Sequence, residues 1–108
     1  TFNLKLEDMP SKDKKLSNIA KVENFKSSKS GQPIANQFII TLQNGIEVFQ
    51  SYNSIIAVKA NNETYLDQNR WNYSRTTSRY RNQFLNETTV ETVKKIGFGN
   101  YTMVDLNK

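Results

Sequence analysis

The amino-acid sequence predicts an α+β fold, with a mainly antiparallel sheet of five to six strands and two short helices before the last strand. Three observations lead to this prediction. The pair Asn44-Gly45 lies between two stretches of alternating apolar residues, which is the signature of a β-hairpin. From Trp71 onwards the apolar spacing becomes helical, and at residues 101–106 it returns to alternation. A run of strands followed by helices is typical of the α+β class.

The N-terminal third of the chain contains strand-like and loop-like stretches in turn. Residues 1–6 have an apolar side chain at every second position, which predicts a first strand, and the polar residues 7–15 predict a loop. Residues 16–25 fit either helical or alternating spacing, and we favour a strand. Residues 26–33 are polar and predict a second loop. The length of the chain fits a single domain over residues 1–108.

A hairpin around Asn44-Gly45 forms the centre of the predicted sheet. This pair favours a two-residue type I′ turn, because both central residues of that turn have positive φ. The turn would place Leu42 opposite Glu47. The face expected to form the core carries Phe38, Ile40, Leu42 and Phe49. The opposite face, which we expect to be covered as well, carries Ile39, Thr41, Ile46 and Val48.

A second hairpin follows directly. Residues 54–60 and 63–67 are both strand-like and are joined at Asn61-Asn62. Asparagine tolerates the left-handed conformation that tight turns require. Two consecutive hairpins and the alternating stretch at residues 101–106 therefore supply most of the predicted sheet.

The first helix is predicted over residues 74–85, with Ser74 or Thr76 as its N-cap. At about 100° per residue, one side of this helix is apolar and the other is polar. The side expected to face the core carries Tyr73, Thr77, Tyr80 and Phe84. The opposite side carries Arg75, Ser78, Arg79 and Asn82.

The second helix is predicted to begin at a capping box of Thr88 and Glu91 and to end at Gly97. Glu91 and Lys95 have the spacing of a helical ion pair. The apolar stripe of this helix consists of Val90, Val93 and Ile96.

The composition disfavours catalysis. The chain has no histidine and no cysteine, which removes the commonest general base, the commonest transition-metal ligand and the best side-chain nucleophile. The carboxylates are scattered, and the glycines at 97 and 99 are not followed by the lysine of a phosphate-binding loop. We therefore expect a protein that is not an enzyme and that uses no cofactor and no metal.

The chain is basic, with 15 Lys and Arg residues against 10 Asp and Glu residues and a formal net charge of +5. This charge favours polyanionic partners such as DNA, RNA or an acidic protein face. No apolar run approaches the roughly 18 residues of a membrane span, and the first residues lack the features of a signal peptide. We expect a cytoplasmic protein with no membrane partner.

The candidate binding site is the segment 68–86, which holds all four arginines of the chain and no acidic residue. Guanidinium groups suit phosphates, and aromatic rings stack on unpaired bases. The residues predicted to bind nucleic acid or another partner are Arg70, Trp71, Tyr73, Arg75, Ser78, Arg79, Arg81 and Asn82. In the structural alternative, the arginines are solvated or paired with carboxylates such as Asp67, Glu87 and Glu91.

Two further stretches carry polar groups suited to binding. The loop at residues 26–33 and the nearby Lys12, Lys14 and Lys15 form a second basic region, for which the structural alternative is a solvated flexible loop. Residues 49–57 concentrate Gln, Ser, Tyr and Asn side chains. A tight connection between strands needs the same residue types, and we prefer that structural interpretation.

The C-terminal part of the chain resembles a known family. The stretches FQSY, YLD, the W-x-YS-x-TT run with YRNQFL, and ETVKKIGFGNYTMVDLNK are similar to small uncharacterised proteins carried by phages, plasmids and related mobile elements of low-GC Gram-positive bacteria. The resemblance covers about residues 46–108. It implies no activity of individual residues. It does imply a bacterial host cell in which small basic proteins bind nucleic acid or disable a host enzyme that handles it.

Three functional hypotheses follow. The first is a non-enzymatic binding module that engages nucleic acid, or a host protein complex that handles nucleic acid, through its arginine-rich helix. The second is a protein inhibitor of a host defence nuclease, of the anti-CRISPR or anti-restriction type, in which the helix at residues 74–85 anchors the interface. The third is a structural phage component that forms homo-oligomers through the second apolar face of the Asn44-Gly45 hairpin.

Overall fold

The computed structural model describes residues 19–108, which form one six-stranded sheet and two helices. The elements are β1 (Ile19–Lys26), β2 (Pro33–Leu42), β3 (Glu47–Ser51), β4 (Ser54–Ala60), β5 (Glu63–Asp67), α1 (Arg75–Leu85), α2 (Thr89–Gly97) and β6 (Tyr101–Val104). The strands lie in chain order, and only the last pair, β5 and β6, is parallel. This is the α+β architecture that the sequence predicts, with both helices preceding the final strand.

The strand interpretation of residues 16–25 is confirmed from Ile19 onwards, where β1 pairs with β2. The connection between β1 and β2 comprises residues 27–32, inside the stretch predicted as a loop. The strand predicted at residues 1–6 and the loop predicted at residues 7–15 lie outside the described residues.

The turn between β2 and β3 differs from the predicted type I′ turn. Thr41 pairs with Glu47, and the Leu42 amide donates to the Ile46 carbonyl at 2.8 Å, so residues 43–45 form a three-residue turn and the register is shifted by one. The Gly45 amide donates to the Leu42 carbonyl at 2.9 Å, and only Gly45 has a positive φ, of 88°. An Asn-Gly pair also suits this turn, in which a left-handed glycine forms a bulge.

The shifted register brings four apolar residues of the hairpin, Ile40, Leu42, Ile46 and Val48, onto one face. Ile40 lies opposite Val48, whereas the predicted register placed Val48 on the other face from Ile40. Phe49 lies opposite Ile39 and belongs to the other face. Burial therefore selected the register, because the observed pairing puts four apolar side chains into one core and the predicted pairing divides them.

The second hairpin is confirmed. Ala60 pairs with Glu63, which leaves Asn61-Asn62 as a two-residue turn, and Asn61 has a φ of 54°. The β3–β4 pairing contains an irregularity at Ile56, so Ile56 and Ala57 both join the same cluster. An extra residue of this kind changes which side chains face each layer.

Each face of the sheet carries a cluster of buried apolar residues. One face carries a cluster of Ile40, Leu42, Ile46, Val48, Val58, Ala60, Tyr65 and Leu106. The helices cover the other face, whose cluster contains Phe25, Phe49, Ile56, Ala57, Leu66, Tyr80 and Phe84. Ile46 and Val48, which belong to the apolar face that motivated the oligomer hypothesis, are buried within the chain, and the oligomeric state stays a prediction.

Side-chain caps fix where the helices begin. The Ser74 hydroxyl accepts from the Thr77 amide, which confirms Ser74 as the N-cap of α1. Thr88 and Glu91 form the predicted capping box of α2, and this helix ends at Gly97.

Three connections meet at the same end of the sheet, which we call the loop end. They are the β1–β2 loop (residues 27–32), the β3–β4 turn (residues 52–53) and the β5–α1 connection (residues 68–74). This follows from the antiparallel order of β1 to β5, since alternate connections lie at the same edge. Helix α1 therefore begins at the loop end, where the Ser51 hydroxyl lies 2.9 Å from the Thr77 hydroxyl.

The β2–β3 turn makes a specific prediction about Gly45. Replacement by alanine would place a side chain at a φ of 88°, and we expect the free energy of unfolding to fall by about 1–2 kcal/mol. Urea denaturation followed by circular dichroism measures the change. The matched control is Gly97→Ala, at a helical glycine without positive φ and with open space around it, which should be neutral or slightly stabilising. Equal losses in the two variants would contradict the assignment of the turn.

Candidate functional site

Helix α1 presents two exposed arginines on its outer face. Arg75 and Arg79 lie one helical turn apart, and both side chains are exposed. Among the residues that the structure describes, no carboxylate forms a salt bridge with either of them. The Arg79 guanidinium lies 5.9 Å from the centre of the neighbouring Tyr80 ring. These two guanidinium groups are therefore available to a ligand.

The β5–α1 connection is organised by Asp67. Its carboxylate is buried and accepts from the backbone amides of Asn69, at 3.1 Å, and Leu106, at 2.8 Å. Arg70 lies 3.9 Å from the same carboxylate and keeps 42% of its side chain exposed. Arg70 thus fits both the ligand-binding and the structural interpretation, because it forms a salt bridge with Asp67 and is still accessible to a ligand.

Arg81 is placed differently from its predicted role. The side chain is fully buried and donates to the Trp71 carbonyl at 2.7 Å, to Asn82 Oδ1 at 2.7 Å and to Thr89 Oγ1 at 3.0 Å. Its guanidinium also lies 5.0 Å from the centre of the Trp71 ring. Burial lowers the pKa of Arg81, and the charge of Glu87 opposes that shift. Arg81 therefore holds the connection and both helices together and does not face a ligand.

The helical spacing agrees with this placement of Arg81. Arg81 lies between Thr77 and Phe84, which are both buried, so it belongs to the inner side of α1. The prediction from the sequence grouped Arg81 with the other three arginines as ligand-binding, solvated or paired with a carboxylate, and assigned it to neither side of the helix. The sequence feature that could have indicated burial of Arg81 is the pair of nearby oxygen acceptors, Asn82 and Thr89, because a buried guanidinium needs such acceptors.

The remaining predicted residues divide between the surface and this internal network. Asn82 also donates to Thr89, and Ser78 donates to the Asn72 side chain at 2.6 Å. Trp71 is half-buried and packs against the helix-covered core. Tyr73 is 50% exposed, although the helical spacing placed it on the core side. It precedes the N-cap, so the spacing does not apply to it.

Glu87 forms a second internal network. Its side chain is 3% exposed and accepts from Thr92 at 2.6 Å, from Lys95 Nζ at 2.7 Å and from the Tyr101 hydroxyl at 2.7 Å. Burial alone would raise the pKa of Glu87, but the hydrogen bonds from these three groups lower it. Burial and the bond to Glu87 raise the pKa of Tyr101 to about 12. Lys95 therefore pairs with Glu87. The predicted ion pair between Glu91 and Lys95 was wrong, because Glu91 bonds to Thr88 in the capping box.

The Glu87 network fixes the rotation of α2. Thr92 is fully buried and Ile96 packs against the helix-covered core, whereas Val90 and Val93 are 64% and 52% exposed. Phe98, just after the helix, is 81% exposed. The predicted stripe is thus split, and part of it forms an exposed apolar surface.

The loop end brings the two other polar stretches close to α1. The Phe25 ring lies 5.4 Å from the Tyr80 ring, so the β1–β2 loop begins beside the helix, and Lys26 and Lys29 of that region are exposed. Lys12, Lys14 and Lys15 lie outside the described residues. In the β3–β4 turn, Tyr52 is 50% exposed and has a φ of 55°. Sequence analysis preferred a structural role for this stretch, and a left-handed tyrosine gives no signal in the sequence.

Residues 19–108 contain neither a helix that could span a membrane nor a cluster of potential metal ligands. Neither helix is long and apolar enough to cross a membrane. No group of three or more acidic side chains in this part of the chain is arranged to hold a metal ion.

A comparison with protein families identifies the chain. The model of a family of unknown function, DUF8033, matches residues 20–100. The chain belongs to this family. The DUF8033 match begins at residue 20, well before the start of the resemblance at residue 46, and it includes β1 to α2 and the whole candidate site. No curated protein and no solved structure matches the chain significantly.

The internal role of Arg81 is tested by truncation. In Arg81→Ala, the Trp71 carbonyl and the Asn82 and Thr89 oxygens lose a buried donor, and we expect the free energy of unfolding to fall by about 2–4 kcal/mol. Arg79→Ala is the matched control on the exposed side of the same helix and should change stability by about 0.5 kcal/mol or less. Urea denaturation of both variants measures this. Similar stability of the two variants would contradict the structural assignment.

The Glu87 network predicts a dependence of stability on pH. Since the pKa of Glu87 is lower in the folded chain, its carboxylate contributes stability above the unfolded pKa, and this contribution is lost as the pH falls through the folded pKa. Glu87→Gln should therefore lose about 1–3 kcal/mol at pH 7. The difference from the unsubstituted protein should shrink as the solution is acidified. Thermal unfolding of both proteins from pH 7 to pH 3 measures it, and a difference that does not depend on pH would refute the mechanism.

Proposed function

We propose that the chain is a non-enzymatic binding module that engages nucleic acid through the outer face of α1. The observation that carries the proposal is the pair Arg75 and Arg79, which are exposed, one turn apart and without a carboxylate partner among the described residues. Arginine binds phosphates through a fork of donors. Two such groups along one helix can follow successive phosphates of a nucleic-acid strand.

The distribution of charge supports the proposal. At the loop end, Arg70 and Arg75 lie at the start of α1, and Lys26 and Lys29 lie at the β1–β2 loop. Asp67, at the end of β5, is buried and already bonded, and Asp105, just after β6, accepts from the Asn107 amide at 3.0 Å. A surface with excess positive charge attracts polyanions over distances comparable to the Debye length.

A protein partner is the second candidate. Val90, Val93 and Phe98 form the exposed apolar surface on and after α2, and exposed apolar groups are typical of protein interfaces. This observation favours an inhibitor that occupies the surface of a nucleic-acid-handling enzyme, such as a host defence nuclease. The mobile-element origin implied by the resemblance of residues 46–108 is consistent with either role.

The proposed function predicts binding that depends on salt and on the two arginines. The protein should bind DNA or RNA with an affinity that falls steeply as salt increases. In Arg75→Ala/Arg79→Ala, the slope of log affinity against log salt should decrease by about one for each lost phosphate contact. Fluorescence anisotropy with labelled oligonucleotides over a salt series measures both quantities.

The matched control is Lys21→Ala/Lys94→Ala, which removes the same charge from two exposed lysines outside α1 and should leave the slope nearly unchanged. Equal effects of the two double variants would indicate unspecific attraction to a basic protein. Weak binding that is insensitive to salt would exclude nucleic acid as the ligand, and the exposed apolar surface of α2 would then be the starting point for a search for a protein partner.

A further inference from the structure

We infer that the ligand of the α1 surface is a single-stranded nucleic acid, and that Tyr52 and Tyr73 bind its unpaired bases. This inference rests on the proposed function and extends it by naming the form of the ligand. It depends on the position of the two tyrosines at the loop end, on their exposure and on the unusual backbone of Tyr52.

A chain of contacts places the two tyrosines at the same end of α1. Tyr52 follows Ser51, whose hydroxyl lies 2.9 Å from that of Thr77 in the first turn of the helix. Tyr73 precedes Ser74, whose hydroxyl accepts from the Thr77 amide at 3.1 Å. Both tyrosines are therefore adjacent in sequence to residues that meet at Thr77. Each is 50% exposed.

Tyr52 has a backbone conformation that its residue type disfavours. Its φ of 55° is in the left-handed region, where a bulky side chain is uncommon and glycine or asparagine is the usual choice. The conformation is fixed by the surrounding structure. The Tyr52 amide donates to the Asn36 carbonyl at 2.7 Å, and the Gln50 side chain donates to the Tyr52 carbonyl at 2.8 Å.

Packing of the Tyr52 side chain in the core does not explain this backbone conformation. It is half exposed and belongs to neither apolar cluster. Strained residues occur preferentially at sites that bind ligands, where an exposed side chain has a use that offsets the strain. An exposed aromatic ring beside arginines is the arrangement with which proteins bind single strands, because a ring can stack on a base while guanidinium groups contact the phosphates.

The same arrangement disfavours a duplex as the preferred ligand. In a duplex the base faces are stacked on one another and are not available to a protein side chain. Arg75 and Arg79 would contact either form through phosphates, but the tyrosines would add affinity only for a strand with unstacked bases. The expected order of affinity is therefore base-bearing single strand first, with the duplex and an abasic strand weaker.

The experiment compares three oligonucleotides of equal length: a single strand that carries bases, an abasic strand with the same phosphates, and a duplex. Each is prepared as DNA, and the single strand also as RNA. Binding is measured by anisotropy for the unsubstituted protein and for Tyr52→Gly, Tyr73→Ala and Arg75→Ala/Arg79→Ala. The matched control is Phe98→Ala, which removes another exposed aromatic ring, at the end of α2.

We expect the base-bearing strand to bind about 5-fold or more tightly than the abasic strand, as loss of one stacked base predicts. Tyr52→Gly should reduce this ratio while leaving duplex affinity unchanged, and its melting temperature should stay at or above that of the unsubstituted protein, because glycine adopts this φ without strain. Tyr73→Ala should reduce the ratio in the same way. The arginine variant should weaken all ligands alike, and Phe98→Ala none.

The outcomes separate the two proposals. Equal affinity for base-bearing and abasic strands would overturn base stacking and leave the arginine-dependent function intact. A ratio that Tyr52→Gly does not change would overturn the role of Tyr52. Absence of binding to every oligonucleotide would overturn both proposals together.

Discussion

The buried guanidinium of Arg81 is the interaction on which the candidate surface depends. It bonds to the Trp71 carbonyl in the β5–α1 connection, to Asn82 on α1 and to Thr89 at the start of α2. A charged group buried in this way is costly unless oxygen acceptors surround it, and here three different segments supply them. Arg81 therefore fixes the relative positions of the segments that carry the exposed arginines.

A second buried charge, that of Glu87, holds α2 in place. Glu87 accepts from Thr92, Lys95 and Tyr101, which ties α2 to the final strand and sets its rotation. This rotation of α2 also determines its exposed side chains, because it leaves Val90 and Val93 at the surface. The two networks thus decide which side chains of the helices a ligand can contact, although neither network faces the ligand.

The topology of the sheet concentrates the candidate site. An antiparallel order from β1 to β5 brings three connections to the loop end. The β1–β2 loop contributes Lys29, the β3–β4 turn contributes Tyr52, and the β5–α1 connection contributes Arg70 and Tyr73. These groups are far apart in the chain. Their proximity explains why a short segment rich in arginine is only part of the surface that we propose for nucleic acid.

The sequence by itself determined the elements whose signals are local. The change from alternating to helical spacing, the Ser74 cap, the Thr88–Glu91 capping box and the Asn61-Asn62 turn depend on neighbouring residues and were predicted correctly. Membership of the DUF8033 family over residues 20–100 adds no function to them.

Only the tertiary structure decided the features that depend on burial. An Asn-Gly pair fits two turn lengths, and the three-residue turn formed because it brings Ile40 and Val48 to the same core. Four arginines within one segment look alike in the sequence, but packing against the sheet buried Arg81 and left Arg75 and Arg79 at the surface. The physical reason is common to both cases: local sequence limits the available conformations, and the free energy of burying apolar and charged groups selects among them.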